Sequence, residues 1–263
     1  MADFKLINYE TKNNVAYIHL NAPEILNAMS ADMGNELSAA LKLASNEARV
    51  MVLGGRGRGF CSGANLGGGG NISLDDSKID MGIRLEKIFN PMLLELRNFP
   101  IPFITSIRGP VVGFGCGLAL MGDIIIASKT AYFLQTFSKI GLVPDGGAPY
   151  LLTRAVGRVR AMEIMLLGEK YNAEKAYSDG LITRLVKDAD LESETEAIAE
   201  KLAIGPPISL KLIRHSAWEA LDSDFSDQLN RERKLQLTAG RTNDFKEGVA
   251  AFREKRKPIF IGN

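Results

Sequence analysis

Hydrophobic and polar positions along the chain change period several times, and each change marks an element. VAYIHL, residues 15–20, alternates branched or aromatic side chains and predicts a half-buried strand. Ser30 then precedes MGNELSAALKLA, whose apolar positions recur at helical spacing, so a helix is expected with Ser30 as its N-cap. ARVMVLGG at 48–55 is a short apolar run that predicts a buried strand entering the glycine-rich stretch GRGRGFCSGANLGGGGN. Residues 66–80 carry no periodicity and are expected to form a mobile loop. Ile83, Ile88, Met92 and Leu96 make the apolar face of a helix around 81–97.

Further strands are expected at 103–108, 124–128 and 131–135, with a small-residue helix opened by GFGCGLALMGD and helices at 147–156 and 159–166. Strands alternating with helices predict an α/β domain built from parallel units. After residue 190 the pattern is helical only. LESETEAIAEKLA, SLKLIRHSAWEAL and DFKEGVAAFREKR are separated by Gly-Pro-Pro and Thr-Ala-Gly-Arg breaks. The expected organisation is an α/β core over 1–190 and a helical region over 191–263.

Composition narrows the function. The chain has 263 residues, 46% of them hydrophobic and 24% charged, enough for a large core in a water-soluble domain. A formal charge of +1 argues against broad capture of nucleic acid or anionic membrane. No run approaches the ~18 apolar residues of a membrane span, and the N-terminus MADFKLINYE has acids where a signal peptide has an apolar stretch. Two cysteines, Cys61 and Cys116, are too few for a disulfide framework, so reduced thiols and a cytoplasmic setting are expected. His19 and His215 lie far apart and no CxxC occurs, which leaves no metal site.

Neither glycine stretch satisfies a nucleotide motif. The lysine and hydroxyl of GxxxxGK[ST] are missing, and the glycine spacing of GxGxxG fails after Gly57-Arg58-Gly59 and after Gly113-Phe114-Gly115. Two readings survive. Glycines at strand ends permit tight turns and close packing, the reading that fits Gly67–Gly70 best. Small residues at two strand-to-helix turns also free backbone N–H groups to meet one developing negative charge.

The segments VAYIHLNAPEILNAMS, RGRGFCSGANL, IRGPVVGFGCGLALMGDIIIAS, AEKAYSDGLITRLV and FREKRKPIF together resemble the crotonase (enoyl-CoA hydratase/isomerase) superfamily over nearly the whole chain. FCSGANL and GFGCGLALMGD, about 50 residues apart, are specific as a pair. The resemblance implies a spiral of ββα units with a C-terminal helical trimerisation region, assembled as a homotrimer or dimer of trimers. It implies an acyl-CoA substrate and no cofactor, CoA being part of the substrate. Ala64 and Phe114 match the residues whose N–H groups hold the thioester oxygen. The segment containing Arg56, Phe60, Ser62, Gly63, Asn65 and Leu66 matches the wall for CoA, with Gly115, Phe137 and Leu142 near the acyl group. Phe252 and Lys255 match residues that cap the nucleotide from a neighbouring subunit, a solvated helix end being the alternative for Lys255.

Hydratases of the family carry two glutamates, where this chain has Gly117 and Phe137. Hydration needs one group to activate water and another to protonate the α-carbon, and neither residue does so. FSKIGLVPDGG instead resembles the 1,2-epoxyphenylacetyl-CoA isomerases and related enoyl-CoA isomerases, in which the aspartate matching Asp145 is the acid/base. One carboxylate suffices to move a double bond. Asp145 is otherwise an ordinary turn residue. Alternatives are hydration with Asp145 as sole base, a non-catalytic CoA-ester-binding subunit, and a dehalogenase-like nucleophilic aspartate, which would need a nearby histidine. Asp123 is expected to anchor structure, Arg84 and Glu86 to sit on a solvated face, and Trp218 to pack in a core or interface.

Overall fold

The computed structural model describes residues 4–65 and 79–263. Apart from residues 79 and 80, the loop expected over 66–80 lies outside the described residues, as do Leu66 and Gly67–Gly70.

Among the described residues nine strands form two sheets. The larger has the order β1-β2-β3-β4-β6-β9, from Ile7–Lys12, Val15–Leu20, Val50–Gly55, Phe103–Ile107, Ile124–Ser128 and Arg184–Val186. β1 and β2 pair antiparallel, and every other pairing in this sheet is parallel. The β1–β2 hairpin turns through Asn13 and Asn14, both at positive φ (53° and 61°), the backbone that a two-residue hairpin requires. β1 was not among the expected strands. The signal was there: Ile7, Tyr9 and Thr11 alternate with Asn8, Glu10 and Lys12, and Ile7 and Tyr9 face the core.

Helix α1 (Ala31–Glu47) covers one face of the sheet with Met33, Leu37, Ala40, Leu41 and Ala44, and begins where Ser30 Oγ accepts the Met33 N–H at 3.1 Å. The other face, Val15, Val50, Val52, Ile104 and Ile126, packs against Leu191, Ala199 and Ala203. These belong to the first helix beyond residue 190, so this part of the helical region is built into the core.

The smaller sheet orders β5 (Pro110–Val112), β7 (Tyr132–Leu134) and β8 (Tyr171–Asn172). Around the sheets run α2 (Asn90–Arg97), α3 (Phe114–Leu120), α4 (Ala148–Leu167), α5 (Ala173–Ser178) and α6 (Leu191–Ala203). α2 continues a π-helical turn, Leu85–Phe89, where Pro91 brings no N–H to the ladder. α4 breaks at Gly157, matching the two helices expected there.

α7 (Pro207–Ala220), α8 (Phe225–Ala239) and α9 (Asn243–Glu254) complete the described chain. α8 was not expected. It buries no residue, and its apolar Phe225, Leu229 and Leu237 are exposed among charged and polar neighbours. Phe225 and Phe252 are exposed on these helices. Among the described residues no helix is long and apolar enough to cross a membrane.

Candidate active site

The first glycine-rich turn is held by Asn27, which is fully buried. Its Nδ2 donates to Arg56 O at 3.0 Å and Gly59 O at 2.8 Å, while its Oδ1 accepts the Ala22 N–H at 2.9 Å. The chain beyond runs alongside two others, through single bridges Cys61 to Val111 and Met29 to Ala64. Gly63 and Gly113 meet at this junction. A Cβ on Gly63 would fall 3.1 Å from Val112 O, and one on Gly113 would fall 3.9 Å from the Gly63 Cα. Each glycine is followed by a residue, Ala64 or Phe114, whose N–H donates to no acceptor among the described residues. Two unclaimed backbone donors therefore flank the junction, where Ser62 donates to Leu26 O, Asn65 to Met29 O and Gly113 to Leu134 O.

The third turn follows β7. A 3-10 turn, Phe137–Ile140, ends at left-handed Gly141 and leads into VPDGG. This turn lies directly on α3. A Cβ on Gly117 would sit 2.0 Å from Gly146 O, so the position admits no side chain while the turn is in place. Gly117 and the Asp145 turn are thus fitted to one another.

Asp145 Oδ1 is buried and accepts no hydrogen bond among the described residues. Burial pushes the carboxyl up to about 6, opposed by its own backbone N–H. Cys61 and Cys116, by contrast, are inert. Burial raises their thiols to about 11 and about 12, and Cys116 Sγ lies 2.9 Å from Val111 O.

These turns line one cavity of about 990 Å³. Of the residues singled out in the sequence, it brings together Ser62, Gly63, Ala64, Asn65, Phe114, Phe137, Leu142 and Asp145. Phe60 and Gly115 stand behind that surface. Phe60 is fully buried, and a Cβ on Gly115 would fall 2.6 Å from Cys61 O. Arg56 lies elsewhere, beside His19 and Arg108 in a separate cleft of about 320 Å³, with its Nε 3.3 Å from Asn8 Oδ1. Burial and the Arg56 charge hold His19 down at about 4, so it is neutral and stands outside the Asp145 cavity. Phe252 and Lys255 are also outside this cavity, exposed at the end of α9.

Several lining residues were not singled out from the sequence. Met29, Leu85, Phe89 and Tyr150 contribute apolar surface, and Phe89 packs on Phe114 with ring centroids 4.8 Å apart. Tyr150 had a usable signal, being five residues from Asp145. Phe89 had one too, standing three residues before Met92 and seven before Leu96 on their helical face. Arg84, expected on a solvated face, lines the cavity, whereas Glu86 is exposed and does not. Asp80 also lines it, but is itself exposed, and its carboxylate accepts the Gly82 N–H at 2.8 Å.

A cavity with two free N–H groups at paired turns and one desolvated carboxylate suits chemistry through an anion beside a carbonyl. The comparisons agree at the level of family. The enoyl-CoA hydratase/isomerase family model matches residues 10–263, and the chain belongs to that family, with the crotonase fold. It is 40% identical over 259 residues to a Rhodobacter capsulatus protein named "Probable enoyl-CoA hydratase", covering 98% of this chain and 99% of that one. It is 39% identical over 264 residues to the 1,2-epoxyphenylacetyl-CoA isomerase of Escherichia coli K12, covering 100% of both. It superposes on the crystal structure of enoyl-CoA hydratase subunit I from Geobacillus kaustophilus HTA426 with a TM-score of 0.91, at 34% identity and with both chains fully covered.

Proposed function

We propose that the protein is an acyl-CoA isomerase that shifts a double bond in an enoyl-CoA thioester, with Asp145 as its single acid/base. The observation that carries this reading is the exchange at α3: Gly117 has no room for a glutamate because the turn bearing Asp145 occupies the space.

The Ala64 and Phe114 N–H groups donate to the thioester oxygen. Asp145, ionised above about pH 6, removes a proton from the α- or γ-carbon of the acyl group. The electron pair spreads over the dienolate, and its negative charge falls on the oxygen facing the two donors. Asp145, now protonated, returns the proton to the other carbon. No atom is gained or lost and no cofactor is used. The raised pKa serves the reaction, since a carboxylate whose acid titrates near 6 is a stronger base than an ordinary aspartate and still gives the proton back readily near neutral pH. Phe137, which is buried, packs against Gly113 where a water-activating glutamate would stand, and so disfavours hydration.

We further propose the division at residue 190, with α7–α9 presenting Phe225 and Phe252 to neighbouring copies in a homotrimer or dimer of trimers. Phe252 and Lys255 would then meet a neighbour's CoA. The test is Asp145→Asn with a 3-enoyl-CoA: isomerisation should fall while CoA-ester binding persists. Unchanged turnover would exclude Asp145 as the acid/base. Conversion of a 2-enoyl-CoA to its 3-hydroxy product at a comparable rate would instead favour hydration.

A further inference from the structure

The ring of Tyr150 lines the acyl cavity, yet the groups that fix it come from outside the site. Its hydroxyl lies 3.0 Å from Asp222 Oδ1, just beyond the end of α7. Arg154, one turn further along α4, covers the ring with its guanidinium carbon 3.6 Å from the centroid and donates to the same Asp222 oxygen at 3.2 Å. Arg97, the last residue of α2, pairs with the other Asp222 oxygen. α2 follows directly on the π turn that contributes Phe89 to the cavity, and α4 carries Tyr150. One carboxylate therefore ties together two helices that wall the cavity.

The support behind this carboxylate is rigid. Arg214 of α7 is buried, ion-paired to Asp123 at 2.8 Å, and donates to the carbonyls of Leu96, Arg97 and Phe99 at the end of α2. α7 is thus fastened to α2 before Asp222 reaches Tyr150. Asp222 is exposed, so each of these bonds biases the ring by roughly 2–5-fold, and the stacked guanidinium adds to it. An acyl group needing the space occupied by the Tyr150 ring must work against that bias.

We infer that Asp222 is a positioning residue for acyl-chain selection: it latches Tyr150 as a fixed wall and thereby limits the length of acyl group the cavity accepts. The inference rests on the acyl-CoA reading of the cavity, but not on Asp145 chemistry. The latch excludes long chains and leaves short ones unaffected. It acts from a residue that never touches the substrate.

The test is calorimetric binding of saturated butyryl-, octanoyl- and palmitoyl-CoA, none of which has a double bond to move, to the full-length protein and its Asp222→Ala and Asp222→Glu variants. Asp222→Ala is expected to tighten palmitoyl-CoA by roughly 3-fold relative to butyryl-CoA. Asp222→Glu should restore much of the original ratio by keeping the acceptor. Tyr150→Ala, which removes the wall itself, should reproduce the altered chain-length ratio even if Asp222→Ala folds poorly. A uniform change across the three thioesters, or no change, would overturn the latch while leaving the isomerase reading intact. Failure of the unsubstituted protein to bind any of them would overturn both.

Discussion

Two aspartates flank α3, each with a carboxyl that the surrounding protein partly desolvates, and they are treated in opposite ways. Asp123, just after the helix, accepts from Arg214 Nε and the Phe103 N–H, each at 2.8 Å, and from Trp218 Nε1 at 3.3 Å. Asp145, packed against the helix through Gly146, has a buried oxygen with no partner among the described residues. Burial pushes both carboxyls upward, but at Asp123 three donors pull back, and at Asp145 only its own backbone N–H does. A desolvated acid surrounded by donors holds structure together. A desolvated acid stripped of them keeps its basicity for a substrate.

The sharpest way to break this contrast is to neutralise each acid in turn. Asp145→Asn is expected to slow isomerisation by roughly 10²–10⁴-fold, the usual contribution of a general acid/base, in steady-state assays of the purified variant. Asp123→Ala should do the reverse. It leaves Arg214 buried without its counter-charge, so urea unfolding should show a loss of about 3–5 kcal/mol while the folded fraction still turns over. Equal damage to activity from both variants would erase the distinction.

A smaller effect probes the packing that admits the Asp145 turn. Gly117→Ala forces a methyl group against Gly146 O, and should destabilise the protein by about 1–3 kcal/mol by overpacking while displacing the acid. Urea unfolding and turnover should fall together. Undiminished turnover would show that the turn has room to yield.

The smallest effect is a matter of linkage. Asp145 titrates near 6 in the folded state and near 3.8 in its ordinary state, so its contribution to stability is fully present below about pH 4 and is lost as pH rises through about 6. Asp145→Asn removes that loss. Partial exposure of the group reduces the effect, and the variant should melt about 2–4 °C above the unsubstituted protein at pH 8, with no such gain at pH 4.

The comparison also explains what the sequence could and could not reveal. VAYIHL, the Ser30 cap and the kink at Gly157 were legible because alternation, capping and glycine are local signals. β1 was missed although Ile7, Tyr9 and Thr11 alternate with polar residues, and α8 was missed because its apolar Phe225, Leu229 and Leu237 are sparse in a charged stretch and none is buried. At the site, the turns bearing Ala64, Phe114 and Asp145 were legible by resemblance. Their convergence depends on contacts such as Gly117 against Gly146 O, which no local pattern encodes. Arg56 looked like part of the CoA wall because it shares a segment with Ala64. The strand end turns its side chain toward Asn8 and the other cleft.

The central claim is that Asp145 alone moves the proton, and hydrogen–deuterium exchange into an enoyl-CoA tests it without requiring the physiological product. In deuterated water the protein should exchange α- or γ-hydrogens at a rate that climbs with pH through about 6 and then levels, and Asp145→Asn should abolish both the exchange and its pH dependence. Exchange that persists in Asp145→Asn with the same inflection near 6 would contradict the account.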